Sequence, residues 1–237
     1  MSILLSVENL VSGYLNRPVL HGVSLTMPAG SVLAVIGPNG HGKTTLLRTL
    51  SGLLAATSGA IHFDGQDITK QPVHSRVEHG LIHVPQGDQL FSEMTVEENL
   101  RMGAYLAPDA ATQERLMEVY ALFPKLAERR SQLTSSLSGG ERRMVGVGRG
   151  LMSDGRLIML DEPSLGLAPK LIEEIYAGLA ALRGAGRSFL IVEENPSRVM
   201  NFADYLCLLD AGRVVWSGSP DEARKSQDIL KTYLGGR

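Results

Sequence analysis

One glycine-rich segment constrains this chain more than any other feature of its sequence. It follows the apolar run Val32–Ile36, precedes a helical run over residues 46–53, and consists of Gly37, Pro38, Asn39, Gly40, His41, Gly42, Lys43, Thr44 and Thr45. Glycines let successive backbone N–H groups turn inward around phosphate oxygens, and the positive end of the following helix favours the same anion. A strand, a loop of this composition and a helix in that order predict a phosphate-binding loop in an α/β fold.

The residues at the end of this segment suit a nucleotide triphosphate. Lys43 adds a point charge for the phosphates, and the hydroxyl of Thr44 can ligate Mg²⁺. An ordinary glycine-rich turn is the alternative, since the chain has 26 glycines. The four fixed positions would coincide by chance in roughly one such chain in a hundred, so we expect all nine residues to line the nucleotide.

Two acidic residues follow a second apolar run. The run at residues 157–160 leads directly into Asp161 and Glu162. Because side chains alternate in direction along a strand, the two carboxylates should point different ways. We expect Asp161 to hold Mg²⁺ through its water shell and Glu162 to polarise an attacking water. A charged strand end in solvent is the alternative, but the pair together with the phosphate loop indicates a nucleotide hydrolase.

Short apolar runs alternate with longer helical patterns along the chain, which is typical of an α/β protein with a mainly parallel sheet. Core strands are predicted at Val32–Ile36, Leu81–Val84, 157–160 and 189–192, and a small antiparallel sheet at 5–10, 19–27 and around 60–63. Between residues 87 and 152 the pattern is mainly helical, with runs at 96–106 and 113–123. We predict a single domain over 1–237, with a nucleotide-binding core and antiparallel β subdomain at 1–86 and 153–237, and an inserted helical subdomain at 87–152.

Composition limits the partners that this chain can have. Its formal net charge of -2 provides no excess of Lys and Arg for a phosphate backbone, so no nucleic-acid partner is expected. Its apolar runs fall short of the roughly 20 residues that cross a bilayer, so membrane association is expected through a partner. The single cysteine, Cys207, lies in an apolar run, which predicts a buried thiol and fits a reducing cytosol.

A short motif lies in the sequence between the glycine-rich segment and the two acidic residues. It indicates a particular family of nucleotide hydrolases. Leu137, Ser138, Gly139, Gly140 and Glu141 open a helix, and the spacing of Ser138 and Glu141 is that of a capping box. The motif resembles the signature of ATP-binding-cassette proteins. In that family the signature faces the γ-phosphate held by a second copy's phosphate loop, and a helix N-terminus suits that role.

The resemblance covers essentially the whole chain and points in particular to the ATPase subunits of branched-chain amino acid importers. It rests on the order of the motifs and on the strings HGVSL, MTVEENLRMGAY, EPSLGLAP and the closing YLGG. It implies a P-loop NTPase core in which Gln86 contacts Mg²⁺ and water during catalysis and Tyr14 stacks on adenine. Core packing is the alternative for Tyr14. The helical stretch after Gln86 resembles the surface that docks on transmembrane partners.

Several residues depart from the pattern of this family. Glu194 stands where the family has a switch histidine and the branched-chain subgroup more often has glutamine, and Leu167 replaces an aspartate. His41 stands where a small residue is usual, and Arg142 and Arg143 follow the signature. We expect His41 to face solvent without a catalytic role, although a role on the phosphate side is left open. We also expect communication between the two ATP sites to differ from that of the family.

The resemblance implies an ATP-hydrolysing subunit, with ATP and Mg²⁺ as cofactors, that powers a membrane importer at the cytoplasmic face of the bacterial inner membrane. Its expected partners are a second ATPase subunit in a homo- or heterodimer, transmembrane permease subunits and, indirectly, an extracytoplasmic substrate-binding protein. Branched-chain or other hydrophobic amino acids are the expected cargo.

Three alternatives remain at this stage. Urea or short amides are a second cargo class, because the string VPQG around Gln86 resembles the urea-importer relatives. A soluble cassette ATPase acting on DNA or ribosomes is less favoured, since long coiled coils and a second cassette are lacking. A non-catalytic regulatory subunit is disfavoured by the intact Lys43, Asp161 and Glu162.

Overall fold

The computed structural model describes residues 2–15, 17–87 and 89–226. The closing YLGG string of the sequence lies outside these residues. The strands are β1 Ile3–Tyr14, β2 Arg17–Pro28, β3 Val32–Ile36, β4 Ala56–Phe63, β5 Gln66–Asp67, β6 Leu81–Val84, β7 Leu157–Asp161, β8 Ser188–Glu193, β9 Tyr205–Asp210 and β10 Arg213–Gly218. The helices are α1 Lys43–Leu50, α2 Val73–Glu78, α3 Val96–Met102, α4 Asp109–Leu122, α5 Pro124–Glu128, α6 Gly139–Leu151, α7 Pro169–Gly184 and α8 Pro220–Lys225.

A six-stranded sheet forms the centre of the fold, in the order β10-β9-β3-β8-β7-β6. Neighbouring strands are parallel except for β10, which runs antiparallel to β9. The central strands β3, β7 and β8 are buried at every position, as expected for strands covered on both faces. The predicted core strands are therefore confirmed. The strands β9 and β10 were not predicted, although the buried thiol of Cys207 on β9 was.

A second sheet is antiparallel and has the order β2-β1-β4-β5, which confirms the predicted N-terminal β region. Helix α1 packs between the two sheets, because its leucines share one buried cluster with residues of β1 and of β3. The helix begins at Lys43 and ends at Leu50, earlier than the predicted run at 46–53. Gly52, with φ of 82°, ends the helical path in the left-handed conformation that favours glycine.

The opposite face of the central sheet is covered by α3 to α7, which share a buried cluster with β6, β7 and β8. The predicted helical run at 96–106 ends early, at Met102, and turns follow as far as Leu106. Pro108 then caps α4, which begins at Asp109 and not at residue 113. A proline disfavours helical geometry in the residue before it, so Ala107 cannot extend α4 towards its N-terminus. Within the described residues, none of the helices has the length and hydropathy of a membrane span.

Candidate active site

The glycine-rich segment connects the end of β3 to the start of α1. Gly42 caps the helix with φ of 105°, and Gly37 packs so closely on the carbonyl of Leu209 that a side chain there would collide with it. Lys43 is buried and curls back into the segment, where its Nζ donates to the carbonyls of Gly37 at 2.9 Å and Pro38 at 3.1 Å. The segment thus joins a buried strand to a helix in the order that the sequence predicted.

Three predicted catalytic side chains meet at the carboxyl edge of the central sheet. Lys43 Nζ lies 3.2 Å from Glu162 Oε1, and Gln86 Nε2 donates to Glu162 Oε2 at 3.2 Å. These residues follow β3, β7 and β6, which are parallel strands of one sheet, so their carboxyl ends lie at the same edge. In open α/β sheets this edge is where ligands bind.

Glu162 has an unusual backbone conformation. Its φ of 48° lies in the left-handed region, which non-glycine residues rarely adopt. The Glu162 N–H donates to the carbonyl of Val192 on β8 at 3.0 Å, which holds the turn in place. Strain of this kind persists only where surrounding structure enforces it, and it is concentrated at functional sites.

Asp161 and Thr44 form a second polar pair beside this cluster. Thr44 Oγ1 donates to Asp161 Oδ1 at 3.1 Å, while Asp161 Oδ2 is buried and has no hydrogen-bond partner among the described residues. Burial raises the pKa of Asp161, the hydrogen bond from Thr44 lowers it, and the charge of Glu162 raises it again, with a net increase. A buried carboxylate oxygen without a donor, next to a hydroxyl, is a donor set that fits Mg²⁺.

The signature motif lies at the start of α6. Ser138 caps the helix in the predicted capping box: its N–H donates to Glu141 Oε2 at 2.9 Å, and its Oγ accepts from the Glu141 N–H at 3.4 Å. Arg129 pairs with the same glutamate at 2.9 Å. Burial raises the pKa of Glu141, but the hydrogen bonds from Ser138 and the charge of Arg129 outweigh it and lower the pKa overall.

The first turn of α6 faces an open cavity. Gly139 and Gly140 line this cavity of about 700 Å³ together with Gln86, Glu162 and Leu165. The nine residues 37–45 are absent from its lining. Glu162, which lines this cavity, also lies 3.2 Å from Lys43 of the phosphate loop, so the cavity adjoins the cluster of Lys43, Glu162 and Gln86.

Two predicted nucleotide-binding residues lie at the rim of the loop. Tyr14 ends β1 and is 40% exposed, and its hydroxyl accepts from Arg48 at 3.4 Å, so the alternative of core packing is wrong. His41 keeps 34% of its side chain exposed, and the rest contacts a neighbouring turn. Its Nδ1 lies 2.6 Å from Asp210 Oδ1, because the β9–β10 turn packs against the loop.

Sequence reasoning missed a buried carboxylate beside the expected switch position. Glu194 is exposed, whereas Glu193, the last residue of β8, is 1% exposed. Glu193 Oε1 accepts from the N–H of Ser164 at 3.2 Å, from its hydroxyl at 2.6 Å and from the Tyr176 hydroxyl at 3.1 Å. An acidic residue directly continuing the apolar run 189–192 was the signal in the sequence.

Comparisons with known proteins agree with this fold. The family described as ABC transporter matches residues 20–165. The high-affinity branched-chain amino acid transport ATP-binding protein BraG of Pseudomonas aeruginosa is 37% identical over 98% of this chain and 100% of its own length. The lipopolysaccharide export system ATP-binding protein LptB of Haemophilus influenzae is 32% identical over 98% of this chain and 97% of its own. The ADP conformation of MJ1267, an ATP-binding cassette of an ABC transporter, superposes with a TM-score of 0.85 and 29% identity, covering 99% of this chain and 100% of that one.

Proposed function

Because the chain belongs to the ABC transporter family and is an ATP-hydrolysing enzyme of that family, we propose that it powers a membrane importer of branched-chain or other hydrophobic amino acids. The assignment of ATP hydrolysis to this site rests on one observation: Glu162 contacts both Lys43 and Gln86 at one edge of the central sheet. The cargo class rests on the likeness to BraG, which extends over both full lengths.

The contact between Lys43 and Glu162 suggests how the site responds to ATP. The two buried side chains neutralise each other, and Lys43 also donates to carbonyls of the loop. The phosphates of ATP carry more negative charge than one carboxylate and compete for Lys43. Glu162 is thereby released to accept a proton from the water that attacks the γ-phosphate, as a general base does.

Mg²⁺ would be held by Thr44 and Asp161, with Gln86 beside them. When bound, the ion neutralises charge on the β- and γ-phosphates. The donor-free Oδ2 of Asp161 supports this assignment. Thr44 orients the other oxygen of the same carboxylate, which fixes the direction in which Oδ2 points.

A second copy completes the site in this proposal. Ser138, Gly139, Gly140 and Glu141 would contact the γ-phosphate held by the other chain, which suits the first turn of a 13-residue helix with exposed N–H groups. Ser138 and Gly139 are exposed, which leaves this turn accessible to a second chain. Tyr14, which is open to solvent, would stack on the adenine.

The surface after Gln86 is the proposed docking site for transmembrane permease subunits. It exposes Phe91, Met102, Tyr105 and Leu106, which are apolar side chains that are 41 to 70% exposed. Phe91, Met102 and Tyr105 line one cavity, and exposed apolar side chains that cluster in this way mark an interaction site. We assign it to a helical subdomain at 87–152, attached to a core at 1–86 and 153–237, and place the chain peripherally on the cytoplasmic face of the inner membrane.

The cargo would be selected by partner proteins of this chain. The likeness to LptB, an export protein by name, extends over the same length at 32% identity. ATP-binding proteins of amino acid transport and of lipopolysaccharide export are therefore both similar to this chain. The permease and an extracytoplasmic binding protein would select the cargo. Urea or a short amide remains the second candidate.

The substitution Glu162→Gln tests the catalytic assignment. The amide keeps the shape of the side chain but cannot accept the proton, so turnover should fall by about 10² to 10⁴ while ATP binding is retained. Steady-state hydrolysis and equilibrium ATP binding are measured on the same preparation. Glu114→Gln, an exposed residue of α4, is the matched control and should keep full activity. Undiminished hydrolysis by Glu162→Gln would overturn the assignment.

A further inference from the structure

Arg143 is a buried cation in the second turn of α6. Its side chain is 5% exposed, although it carries a charge, and it is four residues before Val147 and eight before Leu151 on the apolar face of the helix. A charge buried in this way is costly unless its donors are matched by acceptors. The hydrogen-bond acceptors of Arg143 therefore indicate the role of this side chain.

The guanidinium group has five N–H donors in a planar fork, and five backbone carbonyls surround it. Nε donates to Pro163 at 3.3 Å, and Nη2 donates to Asp161 at 2.7 Å and to Glu162 at 3.0 Å. Nη1 donates to Pro85 at 2.9 Å and to Gly87. Each donor nitrogen thus has an acceptor for every hydrogen that it carries.

These carbonyls belong to the two segments that carry the catalytic side chains. Pro85 and Gly87 flank Gln86, while the other group includes Glu162 itself and its two neighbours. Ser138, five residues before Arg143, caps the same helix. One side chain therefore joins the signature helix, the Gln86 segment and the Glu162 turn.

We propose that Arg143 is a positioning residue that couples α6 to the Gln86 segment and to the Glu162 turn, so that the catalytic carboxylate follows the position of the signature helix. The guanidinium group of Arg143 fixes five backbone carbonyls relative to α6. A shift of α6 by an ångström either carries both segments with it or breaks several charge-assisted hydrogen bonds. The left-handed conformation of Glu162 makes its turn dependent on such external support.

Arg76 provides a matched comparison within the same chain. It is 3% exposed, and it likewise donates to backbone carbonyls, those of Thr49, Leu50, Thr69 and Gln71. These carbonyls belong to the end of α1 and to the approach to α2. Arg76 therefore has the same chemistry as Arg143 without a connection to Gln86 or Glu162.

The experiment compares Arg143→Lys and Arg143→Met with Arg76→Lys and Arg76→Met in the full chain. Lysine has three donors, so it leaves at least two of the five carbonyls without a partner, and methionine leaves all five. We expect kcat to fall by at least about tenfold in Arg143→Met, with Arg143→Lys between it and the wild type. The ATP dissociation constant should stay within about twofold of the wild type, because none of the five carbonyls belongs to residues 37–45. The Arg76 variants should lose thermal stability and keep kcat.

Stability is measured beside kcat, so that rates refer to folded chain below each melting temperature. Arg143→Lys carries the test if Arg143→Met does not fold. The inference is overturned if the Arg143 variants keep kcat at a stability loss equal to that of the Arg76 variants. It is also overturned if ATP binding weakens in step with kcat. It rests on the catalytic role proposed above for Glu162, and undiminished hydrolysis by Glu162→Gln would overturn that role and this inference with it.

Discussion

At the scale of single residues, buried charged side chains restrain the Glu162 turn. Glu193 bonds to Ser164, which is two residues after Glu162, and Arg198 donates to the same serine hydroxyl at 2.8 Å. Arg143 binds the carbonyls on the other side of this turn. The loop after Glu162 is therefore held by polar side chains from three places: α6, the end of β8 and the short 3-10 helix Pro196–Arg198.

The pKa of Glu193 gives a prediction for stability against pH. Burial raises this pKa above its ordinary value of 4.5, and the hydrogen bonds from Ser164 and Tyr176 only partly offset it. The folded chain thus holds the proton more tightly than the unfolded chain. The resulting stabilisation is fully present below pH 4.5 and is lost as the pH rises through the raised pKa.

Glu193→Gln cannot titrate at this position, so it should gain stability relative to the wild type as the pH rises from 4.5 towards neutrality. Melting temperatures of both proteins, measured across that range in one buffer series, provide the test. Contributions of other titrating groups are common to both chains and cancel in the difference. A difference that stays constant or shrinks with rising pH would contradict the direction of the shift.

At the scale of elements, helix α6 is held by close contacts with α3 as well as by Arg143. Gly103, directly after α3, lies against the carbonyl of Arg149 on α6, and a Cβ there would also meet the Met152 side chain at 3.0 Å. Backbone to backbone contact of this kind leaves no room for a methyl group. The close approach of α3 to α6 thus requires a glycine at position 103.

Gly103→Ala should therefore destabilise the chain by about 1 to 3 kcal/mol, the usual cost of overpacking. Gly184→Ala is the matched control, because it lies at the end of α7 and a Cβ there meets nothing within 4 Å. That change should be neutral or stabilising by up to about 1 kcal/mol, since alanine favours a helix. Chemical denaturation of both variants measures the difference, and equal effects would show that the contact is not limiting.

At the scale of the whole molecule, the proposed active site is shared between two chains. A mixing experiment tests this sharing. Lys43→Ala removes the phosphate-loop charge, and Ser138→Arg fills the space at the signature, so each variant alone should hydrolyse little ATP. A mixed dimer retains one site with an intact phosphate loop and an intact signature.

Equimolar mixing should therefore restore up to roughly a quarter of wild-type activity, because about half of the dimers are mixed and each has one intact site of two. Steady-state hydrolysis is measured against total chain concentration. Mixing wild type with either variant serves as the control for exchange of chains. If the mixture stays as inactive as its components while exchange is demonstrated, each site is built within one chain.

The sequence by itself determined the features that depend on neighbouring residues. The phosphate loop, the core strands, the capping box at Ser138 and the acidic pair at the end of β7 each follow from local composition and periodicity, and the structure has strands and helices at these places. Helix ends were less predictable, because α3 stops where Gly103 meets another helix.

Only the tertiary structure decided which distant residues meet. Arg143 reaches carbonyls that are 58 residues away at Pro85 and 18 residues away at Asp161, and His41 meets Asp210 across 169 residues. Local pattern contains no information on such pairs, because they depend on the order of strands in the sheet and on how the helices pack over it. The residue types of the site were thus readable from the chain, whereas the contacts that hold Glu162 in place came from the fold.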